Sequence, residues 1–249
     1  MPAQEPSGED KPHKKSPFTA THWSDVLSAQ NSSSPESDEA LENLCRTYWY
    51  PLYAYIRSRG NAPDASLDLT QGYFCQLLAN RWLRDVHPAK GKFRSFLLKS
   101  LNHFLANQHR HDTAQKRGGG QVLLPLEPDA EDRYQKEPAN PATPEQLFER
   151  RWAMTLIELI FTRLREEYAA RDRVAVYEVL KQFLSGDEPG TPYVTIAEKL
   201  GMTENAVKAA VKRMRERFRE LLREEMRRIV TDPAEVDTEI RYLFSVLSP

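Results

Sequence analysis

The stretch Tyr193–Phe218 reads YVTIAEKLGMTENAVKAAVKRMRERF. Its first part, Thr195 to Leu200, is a short apolar-patterned helix. Gly201 then supplies a tight turn, because glycine tolerates positive φ. Thr203 is placed as an N-cap, its hydroxyl oxygen able to accept an orphan backbone N–H. Val207, Val211, Met214, Phe218 and Leu221 follow at steps of three and four, one face of a second, longer helix. The opposite face carries Asn205, Lys208, Lys212, Arg215 and Arg219. Two helices joined by a short glycine-containing turn make a helix-turn-helix, whose second helix enters the DNA major groove. Lysine and arginine bond guanine edges or phosphates there, and asparagine pairs with adenine. The competing reading is a solvated amphipathic helix in a bundle. Local charge favours the first. Glu204 to Arg228 holds nine Lys and Arg against five Glu, whereas the 249-residue chain has net charge −1.

Around this stretch the composition excludes several classes. No apolar run approaches the ~18 residues of a membrane helix. The opening MPAQEPSGEDKPHKKSP lacks the apolar core of a secretory signal. Its Pro, Ser, Lys and Glu content reads as a disordered tail over 1–20. A cytoplasmic protein without a membrane partner is therefore expected. Cys45 and Cys75 form no CxxC pair and sit among apolar residues, so buried reduced thiols are expected.

Glycine is scarce and no alternating β pattern stands out, so the chain reads as all-α. Trp23, Val26 and Leu27 open a short helix. A long one runs from Asp38 to Arg59, kinked or divided at Pro51. Pro63 to Ala79 is a second, His87 to Lys92 a loop, and Phe93 to His109 a third. Residues 112–144, with Gly118-Gly119-Gly120 and five prolines, read as an extended, flexible linker. Thr143-Pro144-Glu145 starts the next block with proline near the first helical turn. The expected organisation is a helical domain over 21–111, the linker, a helix-turn-helix domain over 145–230 and an amphipathic extension over 231–249.

Two segments of the first block go beyond packing. Ala65 to Phe74 reads ASLDLTQGYF. His87 to Arg117 holds seven Lys and Arg against Asp112 alone, with Phe93, Phe96 and Phe104 interleaved and four of the six histidines. Cationic grooves with aromatic platforms suit single-stranded or melted DNA. The helical spacing of the phenylalanines also fits a core stripe, which leaves the basic residues and Asn102 as the better DNA contacts.

The quoted stretch resembles the C-terminal helix-turn-helix of bacterial RNA polymerase sigma factors of the extracytoplasmic-function type. Their pattern is a Tyr, then I-A-x-x-L-G-x-[ST]-x-x-[AT]-V-[KR]. Here it is Tyr193, Ile196-Ala197, Leu200-Gly201, Thr203 and Ala206-Val207-Lys208; other regulators share much of it. Ala65, Asp68, Leu69, Gln71 and Phe74 resemble the family's A-x-x-[DE]-L-x-Q-[DE]-x-F signature, with Gly72 in place of the second acidic residue. Gly91 to Leu97 resembles G-x-F-R-x-W-L, with Phe96 where Trp is frequent. The resemblance covers residues 38 to 110 and 145 to 228.

This resemblance implies a chain that is not an enzyme, binds core RNA polymerase, recognises promoter DNA and helps open it. An anti-sigma factor is a further partner it allows. Asp68, Leu69, Gln71 and Phe74 would contact the polymerase. Lys92, Arg94, Lys99, Asn102, His103 and Arg110 would contact melted promoter DNA. Thr203, Asn205, Lys208, Lys212, Arg213 and Arg215 would contact the upstream element. One alternative is a helix-turn-helix regulator with a helical sensor domain. Another is a metal-dependent nuclease using His103, His109 and His111, opposed by the lack of a carboxylate cluster beyond Asp112. No Walker, GxSxG or HExxH pattern occurs, and neither a cofactor nor a metal is expected.

The extension has Val236, Ile240, Leu243, Phe244 and Leu247 at helical steps, an apolar face that must be covered. It either packs back near Trp152 and Leu156, or lies as a latch across the linker or the DNA-reading face.

Overall fold

The computed structural model describes residues 26, 35–79, 83, 86–112, 130–136, 143–184, 191–230 and 232–248. Among them every regular element is helical. The α-helices are α1 (Pro35–Ser58), α2 (Pro63–Ala79), α3 (Phe93–Asp112), α4 (Ala130–Lys136) and α5 (Pro144–Ala169). Then come α6 (Val174–Leu180), α7 (Tyr193–Leu200), α8 (Glu204–Ile229) and α9 (Val236–Leu247). Short 3-10 turns lie at Pro88–Lys90, Lys181–Leu184 and Pro233–Glu235.

The helix ends follow local chemistry. Thr143 and Gln146 form a capping box before α5. The Gln146 N–H donates to Thr143 Oγ1 at 3.2 Å, and the Thr143 N–H donates to Gln146 Oε1 at 2.9 Å. Pro144 occupies the first turn, where no N–H is needed. Pro51 does not divide α1, which continues through it. Its neighbours Tyr50, Leu52 and Tyr53 are buried, so packing on that turn outweighs the lost backbone bond.

The most extensive helix interface is α1 on α5, and Tyr48 stacks on Phe148 with ring centroids 6.4 Å apart. Buried residues of α1–α3 and of α5–α9 belong to one continuous core. The boundary expected between residues 111 and 145 therefore does not separate two cores. The linker expectation is corrected at Ala130–Lys136, which is α4. Its Ala130 is buried with Tyr50, Tyr53 and Ala54, and its Glu131 takes a fork of two hydrogen bonds from Arg57, both at 2.9 Å. An Ala-Glu-Asp start in a proline-rich stretch is too short a helical signal to stand out in sequence. Residues 113–129 and 137–142, the expected tail over 1–20, Trp23 and Leu27 lie outside the described residues; Val26 is helical and buried.

The extension packs on both α5 and α8, with Val236 and Leu243 buried. It also reaches α3, through Glu239, as described below.

Candidate nucleic-acid interface

Helices α7 and α8 meet at Gly201, Met202 and Thr203. Gly201 has φ +62°, a left-handed conformation that closes α7. The Met202 N–H reaches the Ala197 carbonyl at 2.9 Å, the six-to-one bond of a Schellman turn. Thr203 Oγ1 accepts from the Ala206 N–H at 3.2 Å and caps α8. The apolar face of α8 is buried from Val207 through Val211, Met214 and Phe218 to Leu221. Burial of that face turns the other outward. Asn205, Lys208, Lys212, Arg213, Arg215 and Arg219 are all exposed, Lys212 with 77 % of its side chain free. Lys208 lies 2.5 Å from Glu204 and 5.6 Å from the Tyr193 ring. Arg215 Nε donates to the Phe183 carbonyl at 3.0 Å, which holds its guanidinium beside the Lys181–Leu184 turn. Surface pairs such as Lys208–Glu204 contribute at most ~1 kcal/mol, so a stronger anion displaces them.

Farther along α8 the cations have a different job. Arg217 is paired with Glu167 at 2.7 Å and Glu224 at 3.2 Å. Glu225 is buried and paired with Arg163 and, at 3.4 Å, with Arg228. Arg217 and Arg163 clamp α8 to α5. The excess positive charge of the helix thus divides by position, with the DNA candidates on its first half.

In α2 the open face carries exposed Asp68 and half-buried Leu69. Gln71 and Phe74 are not on it. Gln71 is buried, and Phe74, 1 % exposed, stacks on Trp49 with centroids 5.5 Å apart. This corrects their assignment as contact residues: the signature mixes surface with core positions. Gly72 has a packing reason. A Cβ there would lie 3.3 Å from the Phe104 ring tip, so α2 and α3 approach where a side chain would not fit freely.

Within α3, Lys99 and His103 are exposed one turn apart. Asn102 is half-buried, its oxygen accepting from Arg59 at 2.5 Å and from the Tyr55 hydroxyl at 2.9 Å. The side chains of His109, Arg110 and His111 lie outside the described residues.

Arg94 is the main correction. Its side chain is 3 % exposed, with Nε 2.7 Å from Glu149 and Nη2 2.6 Å from Glu239. It lies 4.2 Å from the Trp152 ring centroid and 5.2 Å from that of Tyr242. Burial opposes its charge, but the two carboxylates more than offset this and hold its pKa above the ordinary value. It is not open to DNA in this conformation. Lys92 remains partly exposed, 2.6 Å from Glu239 and 4.8 Å from the Tyr242 ring centroid.

Sequence reasoning missed Glu149, Glu239 and Tyr242 as partners of these two cations. A signal was present for one of them. Glu239 interrupts the stripe Val236, Ile240, Leu243 at a position that must be buried, and a buried carboxylate needs a cation. Among the described residues no group of three or more His, Cys, Asp or Glu is placed to hold a metal, and no helix is long and apolar enough to cross a membrane. No family model matches the chain, and neither curated proteins nor solved structures give a match.

Proposed function

We propose that this chain is an alternative sigma factor of the extracytoplasmic-function type, which binds core RNA polymerase, recognises promoter DNA and promotes its opening. The observation that carries the reading is the exposed stripe of Asn205, Lys208, Lys212, Arg213 and Arg215 on α8, presented by a capped helix-turn-helix whose other face is buried. Exposed Asp68 on α2, next to half-buried Leu69, supplies a second open position, at residues that resemble the polymerase-docking signature. Polymer synthesis belongs to the polymerase, so no catalytic group is needed here.

The test is co-purification with bacterial core RNA polymerase, followed by run-off transcription on genomic fragments. Asp68→Arg is expected to weaken polymerase binding, because it reverses charge at the docking face, while duplex binding is kept. Lys208→Ala with Lys212→Ala is expected to do the reverse. A lost base contact costs about 1–3 kcal/mol and relaxes preference at one position, whereas a lost phosphate contact weakens all sequences alike.

A second reading, a helix-turn-helix regulator with a helical sensor domain, is favoured by one observation. One core joins α1–α3 to α5–α9, as a sensor packed on its DNA-reading unit requires. Duplex binding with no affinity for core polymerase would decide for it.

A further inference from the structure

We propose that Lys92 and Arg94 form a phosphate site for single-stranded nucleic acid, and that the Glu239 carboxylate of α9 fills it in cis, so that α9 and the strand compete. The inference rests on the reading of α3 as a strand-contacting segment and names the element that controls it.

The geometry is that of an anion held by two cations. One Glu239 oxygen lies 2.6 Å from Lys92 Nζ and the other 2.6 Å from Arg94 Nη2. A phosphodiester presents two non-bridging oxygens in the same way, and arginine suits such an anion through its forked donors. Much of the site remains without α9. Glu149, on α5, holds Arg94 Nε at 2.7 Å, and Trp152, also on α5, lies beneath the guanidinium. Lys92, Arg94 and Glu149 together carry a net charge of +1. With Glu239 withdrawn, the niche keeps a net positive charge that is half-exposed at Lys92 and attracts an anion. The Glu239–Arg94 contact is a short ion pair, of the kind another anion with two oxygens can also make.

Helix α9 is seated by buried Val236 and Leu243, with half-buried Ile240, Val246 and Leu247 beside them, while Phe244 remains 46 % exposed. Its link to α8 through Arg223 and Asp237 is a surface pair, 46 % and 66 % exposed.

The experiment uses the full chain and a fluorescent single-stranded oligonucleotide of mixed sequence, read by anisotropy across a salt series. Glu239→Gln keeps the shape of α9 and removes the competing charge. It is expected to raise strand affinity about tenfold and to steepen the salt dependence by about 0.7 in log–log slope, the value for one phosphate contact on a single strand. Adding Lys92→Ala is expected to return both quantities toward wild type. Duplex affinity through α8 is expected to stay unchanged. A lower melting temperature with unchanged strand affinity and salt slope overturns the proposal and leaves Glu239 as a structural ion-pair partner. The sigma reading fails separately. Gain of strand binding by Glu239→Gln without any binding of core polymerase sustains this site and removes that function.

Discussion

Arg94 carries its charge into the interior between carboxylates that come from two later helices. Breaking a buried pair by removing one partner costs about 3–5 kcal/mol, because the other charge is left uncompensated. Arg94→Ala strands Glu149 and leaves Glu239 with Lys92 alone, so a loss of about 3 kcal/mol is expected in denaturant unfolding, and a DNA-binding defect in that variant would report folding first. Cys45 gives a second check at this scale. Burial, with smaller contributions from Cys75 and Glu42, pushes its thiol up to about 12. An ordinary thiol has a pKa of about 8.5, so at pH 8 the reactive thiolate of Cys45 is suppressed by roughly three orders of magnitude. Iodoacetamide labelling followed by mass spectrometry should find it blocked only after unfolding. The expectation of apolar surroundings for Cys45 was legible from its neighbours. The burial of Arg94 was not, since its partner Glu149 is 55 residues away and nothing local distinguishes a charge bound for solvent from one bound for a distant carboxylate.

At the scale of elements, α4 is held by one cluster. Arg57 and Tyr53 both donate to Glu131, and Gln135 adds a bond at 3.0 Å. The Arg57 bonds, more than the Tyr53 and Gln135 bonds, pull the Glu131 carboxyl down to about 2 against the cost of burial. Its folded pKa lies below its unfolded value near 4.3. The stability it contributes is therefore complete above pH ~4.5 and lost as pH falls through about 2. Comparing wild type with Glu131→Gln by urea unfolding should show a gap that is constant from pH 7 to 5 and narrows toward pH 2. A gap that widens on acidification would rule out this role for Glu131. The helices that carry long apolar stripes, α1, α3 and α8, were readable because a 3.6-residue period survives any tertiary context. Helix α4 has only seven residues, too few for that period to register, and its stability comes from contacts to α1.

For the whole molecule, α5 decides the behaviour. Its first half buries Phe148, Trp152 and Leu156, and its second half buries Ile160 and Leu164, all within one core shared with α1, α3 and α8. Both blocks should therefore melt together, in a single calorimetric transition whose van't Hoff and calorimetric enthalpies agree. Two separated transitions would restore the two-domain picture expected from the sequence. That picture came from the proline and glycine content of residues 112–144, which says nothing about which helix faces lie across the connection. The pairing of α1 with α5 also has a consequence for synthesis. Tyr48 meets Phe148 only after the intervening hundred residues have been made. The aromatic face of α1 emerges from the ribosome long before its cover does. From Ser58 to Ala169, at ~5–20 residues per second, the wait is roughly 6–22 s. During that interval the nascent chain exposes an aggregation-prone surface on α1, and the delay ends only when α5 arrives.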